Sequence, residues 1–192
     1  LVYLGLGSGD LGRRIGKLPL IGPTIENVLS RKAKKTRNPE ENIPGVLTAL
    51  VVFLFSCKRY WVFKRLLRAH KNNIQIVTDR YPQAELTGCC DGPGLSPGRT
   101  SNPLIAWLVR CEQSLYRKMA DVRPTVIIHL DVDLPTAASR KPDHNVDLLA
   151  EKIRKTNMLH FNGALVEKVD ACQNYDEVKK QVISIIKKYT LV

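Results

Sequence analysis

Two runs of apolar and β-branched side chains stand out along the chain. They are residues 125–133 (Thr-Val-Ile-Ile-His-Leu-Asp-Val-Asp) and 164–170 (Ala-Leu-Val-Glu-Lys-Val-Asp). Runs of this kind predict strands buried in a parallel sheet. A shorter run at 74–78 (Ile-Gln-Ile-Val-Thr) predicts a third strand, and residues 1–6 a further candidate. Between them the apolar spacing is helical. A long helix is expected from Pro44 to His70, apolar nearly all round for three turns from Val46 and therefore buried there. Beyond Lys58 it is amphipathic, with Trp61, Val62, Leu66 and Leu67 among Lys64, Arg65 and Arg68. Asn102-Pro103 opens another helix, with Leu104, Trp107, Leu108, Cys111, Leu115 and Met119 on one face. Further helices are expected at 24–30, 136–140, 146–159 and 175–189. Strands alternating with helices predict an α/β fold with a mostly parallel sheet and right-handed crossovers.

The 192 residues suit a single domain. Thirty Lys and Arg against 18 Asp and Glu give a formal charge of +12, which favours an anionic partner without naming one. Five cysteines, an odd number with no zinc-like spacing, argue against a disulfide framework and for a reducing, cytoplasmic setting. The apolar run from Val46 to Cys57 falls short of the roughly 18 residues a membrane-spanning helix needs, so no membrane segment is expected. The chain begins at Leu1, without a signal peptide, and reads as truncated at its N-terminus.

Several segments carry candidate chemistry. The Gly5-Leu6-Gly7-Ser8-Gly9-Asp10 run is either a phosphate cradle or a plain strand-to-helix turn; it lacks the Gly-Lys-Ser/Thr ending of a P-loop. The basic stretch at 31–42 reads as a solvated linker. Residues 82–98, rich in proline and glycine, form a loop of the kind that serves as a lid or binding loop. Asp79-Arg80 closes the strand at 74–78, where an open α/β sheet binds its ligands, and a charged pair there is costly unless it serves one. His129 reads as a core histidine. Asp131 and Asp133 either hold Mg²⁺ through water or cap the turn at Pro135.

One ordered set of motifs resembles thymidylate kinase. Phe55-Ser56-Cys57-Lys58-Arg59 on a long helix is followed by Ile76-Val77-Thr78-Asp79-Arg80-Tyr81. Then come Ile128-His129-Leu130-Asp131-Val132-Asp133 with Pro135, Ala138 and Arg140, and Val169-Asp170-Ala171 with Glu177-Val178. The likeness spans residues 46–188. It implies a three-layer α/β/α domain of the P-loop NTPase type over residues 1–192, lacking the first strand and P-loop, with a lid at about 135–160. It also implies ATP and Mg²⁺ as cofactors and transfer of the γ-phosphoryl group to a nucleoside monophosphate or related acceptor.

By that resemblance, Phe55 stacks on a nucleobase, Arg59 reaches its edge or the monophosphate, and Arg80 clamps the acceptor phosphate. Tyr81 and Gln83 complete the substrate site. Asp79 orients the phosphate and the Mg²⁺ network, with Asp131 a further metal candidate through water. Arg140, with Lys141 or Arg154, reaches from the lid to neutralise the transferred group. The partner is thus a nucleotide or other phosphorylated small molecule, with a homodimer possible and neither membrane nor nucleic acid expected. Two alternatives stand beside it: a catalytically incomplete relative that only binds nucleotide or phosphate, and a basic nucleic-acid-binding module using residues 31–37 and 64–71.

Overall fold

A computed structural model describes residues 45–72, 74–95 and 100–190. The expectations for residues 1–44, including the strand at 1–6, the glycine run, the helix at 24–30 and the basic stretch, lie outside these. Contacts sort the chain into two compact units, Leu1–Asp121 and Val122–Val192.

In the first unit, helix α1 (Val46–His70) packs against α2 (Pro103–Ala120). Gly45 precedes α1 at φ 139°, a backbone setting that suits glycine. Arg68 places positive charge in its last turn, where it complements the helix dipole. Asn102 caps α2: its side chain accepts the amides of Leu104 and Ile105 at 2.9 and 3.3 Å, and Pro103 lies in the first turn, where its missing N–H costs nothing. Ala49, Leu95, Ile105, Leu108 and Val109 form the apolar centre, so the loop before α2 contributes Leu95 to the core.

The first half of α1 is not buried all round as expected. Leu47, Leu50 and Leu54 are exposed, whereas the polar Ser56 and Arg59 are buried. By length and composition α1 is long and apolar enough to cross a membrane. Within the unit the buried Ser56 hydroxyl is hydrogen-bonded and Arg59 Nη1 has two acceptors, as described below.

Residues 74–77 form no regular strand, and Thr78 makes a single bridge. Ile74 and Val77 are exposed, so the apolar run has no neighbour to bury it among the described residues. Residues 82–95 hold no helix or strand, in line with their proline and glycine content.

In the second unit, β1 (Ile127–Asp131) pairs in parallel with β2 (Val166–Asp170), in register from Ile127 opposite Val166 to Asp131 opposite Asp170. Between them lie α3 (Leu134–Arg140) and α4 (Val146–Asn157), which pack on each other, and α5 (Tyr175–Thr190) packs on β2. Asp133 caps α3 by accepting the Thr136 amide at 2.8 Å, which realises the capping alternative for this residue. Asn145 caps α4 and Asn174 stands before α5, each accepting an amide three residues on, at 3.1 and 3.0 Å.

Candidate functional site

Ser56 and Arg59 lie three residues apart on α1, hence on one face, and that face meets α2. Glu112 of α2 is fully buried and collects three donors. Its Oε1 accepts the Ser56 hydroxyl at 2.5 Å and the Gly94 amide at 3.1 Å, and its Oε2 accepts the Leu95 amide at 2.7 Å. Burial nevertheless outweighs these donors and raises the Glu112 carboxyl above its ordinary value. The result is a fixed end for the loop that precedes α2.

Gln83 fixes the other end. Its Nε2 donates to the carbonyls of Leu86 and Cys89 at 2.7 and 3.0 Å, and its Oε1 accepts the amides of Glu85 and Leu86, each at 2.7 Å. Gly92 lies so close to the Leu86 carbonyl and the Gln83 amide that a Cβ there would overlap both. The loop turns through two left-handed residues, Cys90 at φ 50° and Asp91 at φ 64°. Non-glycine residues hold that conformation only where surroundings enforce it.

This frame presents Asp91 to two arginines. Arg59, 3% exposed, donates from Nη1 to the Asp91 backbone carbonyl at 3.0 Å and to the Tyr116 hydroxyl at 3.4 Å. Its Nη2 stands 3.4 Å from Asp91 Oδ1, an ion pair without hydrogen-bond geometry. Nε and Nη2 are buried with no hydrogen-bond partner among the described residues, and leaving such donors unpaired costs about 1–3 kcal/mol each. Arg80, about half exposed, reaches the two Asp91 carboxylate oxygens from Nη1 at 3.4 and 3.5 Å. One carboxylate thus draws together arginines separated by 21 positions in the sequence. Tyr116, under the Arg59 guanidinium at 5.6 Å from its ring centroid, has its hydroxyl pushed up chiefly by burial.

The other residues expected in a substrate site are distributed around this frame. Phe55 is half-buried on α1, one turn before Arg59. Tyr81 packs edge-on against Phe63 at 5.9 Å, and burial pushes its phenol up to about 12. Asp79 is exposed. Gln83 spends its amide on the loop itself. Asp91 and Glu112 were not singled out from the sequence; an acidic residue inside a Gly- and Pro-rich loop was the available signal for Asp91.

The lid candidates belong to the second unit. Arg140 donates to the carbonyls of Ala171 and Gln173 at 2.7 and 3.2 Å, which ties α3 to the end of β2. Lys141 is exposed at the end of α3, and Arg154 donates to the Met158 sulfur at 3.4 Å. A cavity of about 290 Å³ lies at this end of β1, lined in part by His129, Asp131, Arg140, Lys141 and Lys152. Burial lowers the His129 imidazole below its ordinary value, and Lys168 adds to that effect while Asp131 opposes it. Among the described residues no group of three or more His, Cys, Asp or Glu is placed to hold a metal ion.

No protein-family profile matches the chain, and no solved structure matches it. Curated relatives do. The uncharacterized ATP-binding protein YghR of Escherichia coli K12 is 37% identical over 180 residues, which is 93% of this chain and 71% of YghR. The uncharacterized ATP-binding protein YghS of the same strain is 39% identical over 178 residues, or 92% of this chain and 75% of YghS. With identity at that level over more than nine-tenths of its length, the chain belongs to the family of YghR and YghS.

Proposed function

We propose that the protein is a nucleotide-kinase-type phosphotransferase, resembling thymidylate kinase, that moves the γ-phosphoryl group of ATP onto a nucleoside monophosphate or related phosphorylated acceptor. The observation that carries this reading is the convergence of Arg59 and Arg80 on one carboxylate. Two guanidinium groups that share an anionic oxygen group are suited to a phosphate, with Phe55 one helical turn from Arg59 to receive the rest of the acceptor. ATP as the donor is supported by the name that the relatives carry.

In this reading the acceptor half of the site is Phe55, Arg59, Arg80 and Tyr81, with Gln83 holding the loop that shapes it. Asp79 is one candidate to hold Mg²⁺ through water, and Asp131 is another. One or two carboxylates suffice for a Mg²⁺ that also binds substrate phosphates. Bound there, the ion would offset charge on the phosphates. Arg140, Lys141 and Arg154 act from a lid at about 135–160 within a single domain. We further propose a cytoplasmic location and a homodimer.

The nucleic-acid reading has less support. Arg65 lies over the Trp61 ring at 4.9 Å and Lys64 over the Tyr60 ring at 5.8 Å, so each of these rings already has one of the chain's own cations on it.

The test is ATP-dependent phosphoryl transfer to a panel of nucleoside monophosphates, wild type against Arg80→Ala. Transfer should fall by about 100-fold in the variant, as for removal of one donor to a transition-state anion, while its thermal unfolding is unchanged. Full activity in Arg80→Ala would sink the site assignment. Binding of nucleotide without any transfer by the wild type would favour the catalytically incomplete relative.

A further inference from the structure

We propose that the Asp91 carboxylate is an internal stand-in for the acceptor's anion, and that an entering phosphate displaces it from Arg59 and Arg80. The inference rests on the reading of these two arginines as the acceptor site. It adds a gate within that site and a preference for dianionic over monoanionic ligands.

Three observations lead to it. First, the carboxylate is loosely held. Its contacts with the two arginines lie at 3.4–3.5 Å, whereas charge-assisted N–H to O bonds are ordinarily about 2.7–2.9 Å. Second, the backbone of Asp91 is anchored independently of its side chain. The Asp91 carbonyl accepts from Arg59 Nη1 at 3.0 Å and from the Gln83 amide at 3.4 Å, so the side chain can rotate while the loop stays in place. Third, Arg59 Nε and Nη2 are buried, lack hydrogen-bond partners among the described residues and form the edge by which a guanidinium grips two oxygens at once. The carboxylate lies near this edge without satisfying it.

Charge completes the argument. A monoanion that replaces the Asp91 carboxylate leaves the charge beside the arginines as it was. A phosphate dianion brings one more negative charge and more acceptor oxygens than the group it displaces. The carboxylate thus keeps buried cationic donors from standing wholly uncompensated when the site holds no ligand, and it lowers the affinity of every anion by the same competition.

The experiment is calorimetric titration of inorganic phosphate and thymidine monophosphate into wild type, Asp91→Asn and Asp91→Asn/Arg80→Ala. Asp91→Asn should bind both ligands at least about tenfold more tightly than wild type, and the added Arg80→Ala should abolish the gain. Binding by Asp91→Asn that is equal to or weaker than wild type would overturn the proposal. Where Asp91→Asn fails to fold, the ¹³C carboxylate resonance of Asp91 in the wild-type protein gives the answer: it moves with added phosphate if the carboxylate is displaced and stays fixed if it is not.

The two readings fail differently. A wild type that binds phosphate through Arg80 yet transfers nothing from ATP defeats the kinase reading alone. Transfer and binding that are indifferent to Asp91→Asn defeat the stand-in alone, and absence of phosphate binding in every variant defeats both.

Discussion

Ser56 of α1 donates its hydroxyl to the Glu112 carboxylate of α2 across 2.5 Å, inside the helix pair. The same carboxylate takes the amides of Gly94 and Leu95, so one buried acid joins two helices to the loop that carries Asp91. Removing it takes the acceptor from the Gly94 and Leu95 amides and leaves the Ser56 hydroxyl with the Val52 carbonyl at 3.3 Å.

Glu112 should give the protein a distinctive pH profile. Burial raises its carboxyl above the ordinary glutamate value, so the folded chain holds a proton at pH values where the unfolded chain has released it. Its contribution is therefore complete below about pH 4.3 and is lost as pH rises through the raised folded-state value. Urea midpoints measured across this window should fall with rising pH in wild type and lack that fall in Glu112→Gln. The variant should also be less stable by about 1–3 kcal/mol at the low-pH end, because its NH₂ faces a donor where an oxygen stood. A wild-type midpoint that rises across the window would contradict the assignment.

The loop frame should fail at either of two points. Gln83→Ala removes the four hydrogen bonds that its buried side chain makes to the loop backbone, at a cost of about 2–4 kcal/mol. Gly92→Ala drives a methyl group into the Leu86 carbonyl and the Gln83 amide and should cost about 1–3 kcal/mol. In both variants hydrogen exchange should accelerate first at the amides of Glu85, Leu86 and Gly92. Exchange unchanged from wild type would show that the loop is held by something else.

Tyr81 should ionise late. With its phenol pushed up to about 12 by burial against an ordinary value of 10, the stabilisation it contributes persists below pH 10 and is lost as pH rises towards 12. Tyr116 is raised too, so the ultraviolet difference between wild type and Tyr81→Phe isolates the Tyr81 component. A component titrating near pH 10 would place this phenol in water.

The sequence disclosed the elements whose signals are local. Asn102-Pro103 announced the start of α2, and Val146–Asn157 and Tyr175–Thr190 fall within two residues of the helices expected from apolar spacing. The strands at 127–131 and 166–170 lie inside the predicted runs. What failed depended on partners remote in the chain. The apolar residues of α1 could not say which face meets α2, so Leu54, expected to be buried, is exposed. The run at 74–78 has a strand's composition, but pairing needs a second strand that no local pattern supplies. Asp91 lies 32 positions from Arg59 and acts through the path of an irregular loop, which composition does not encode.

Arg140 also has a mechanical consequence. Its guanidinium is a strut pinned at two carbonyls, Ala171 and Gln173, with its root in the last turn of α3. The Ala171 amide on the Asp131 carbonyl at 2.6 Å and the Asp133 amide on the Cys172 sulfur at 3.3 Å join the same two segments, so the exits of β1 and β2 are braced by backbone and side chain together.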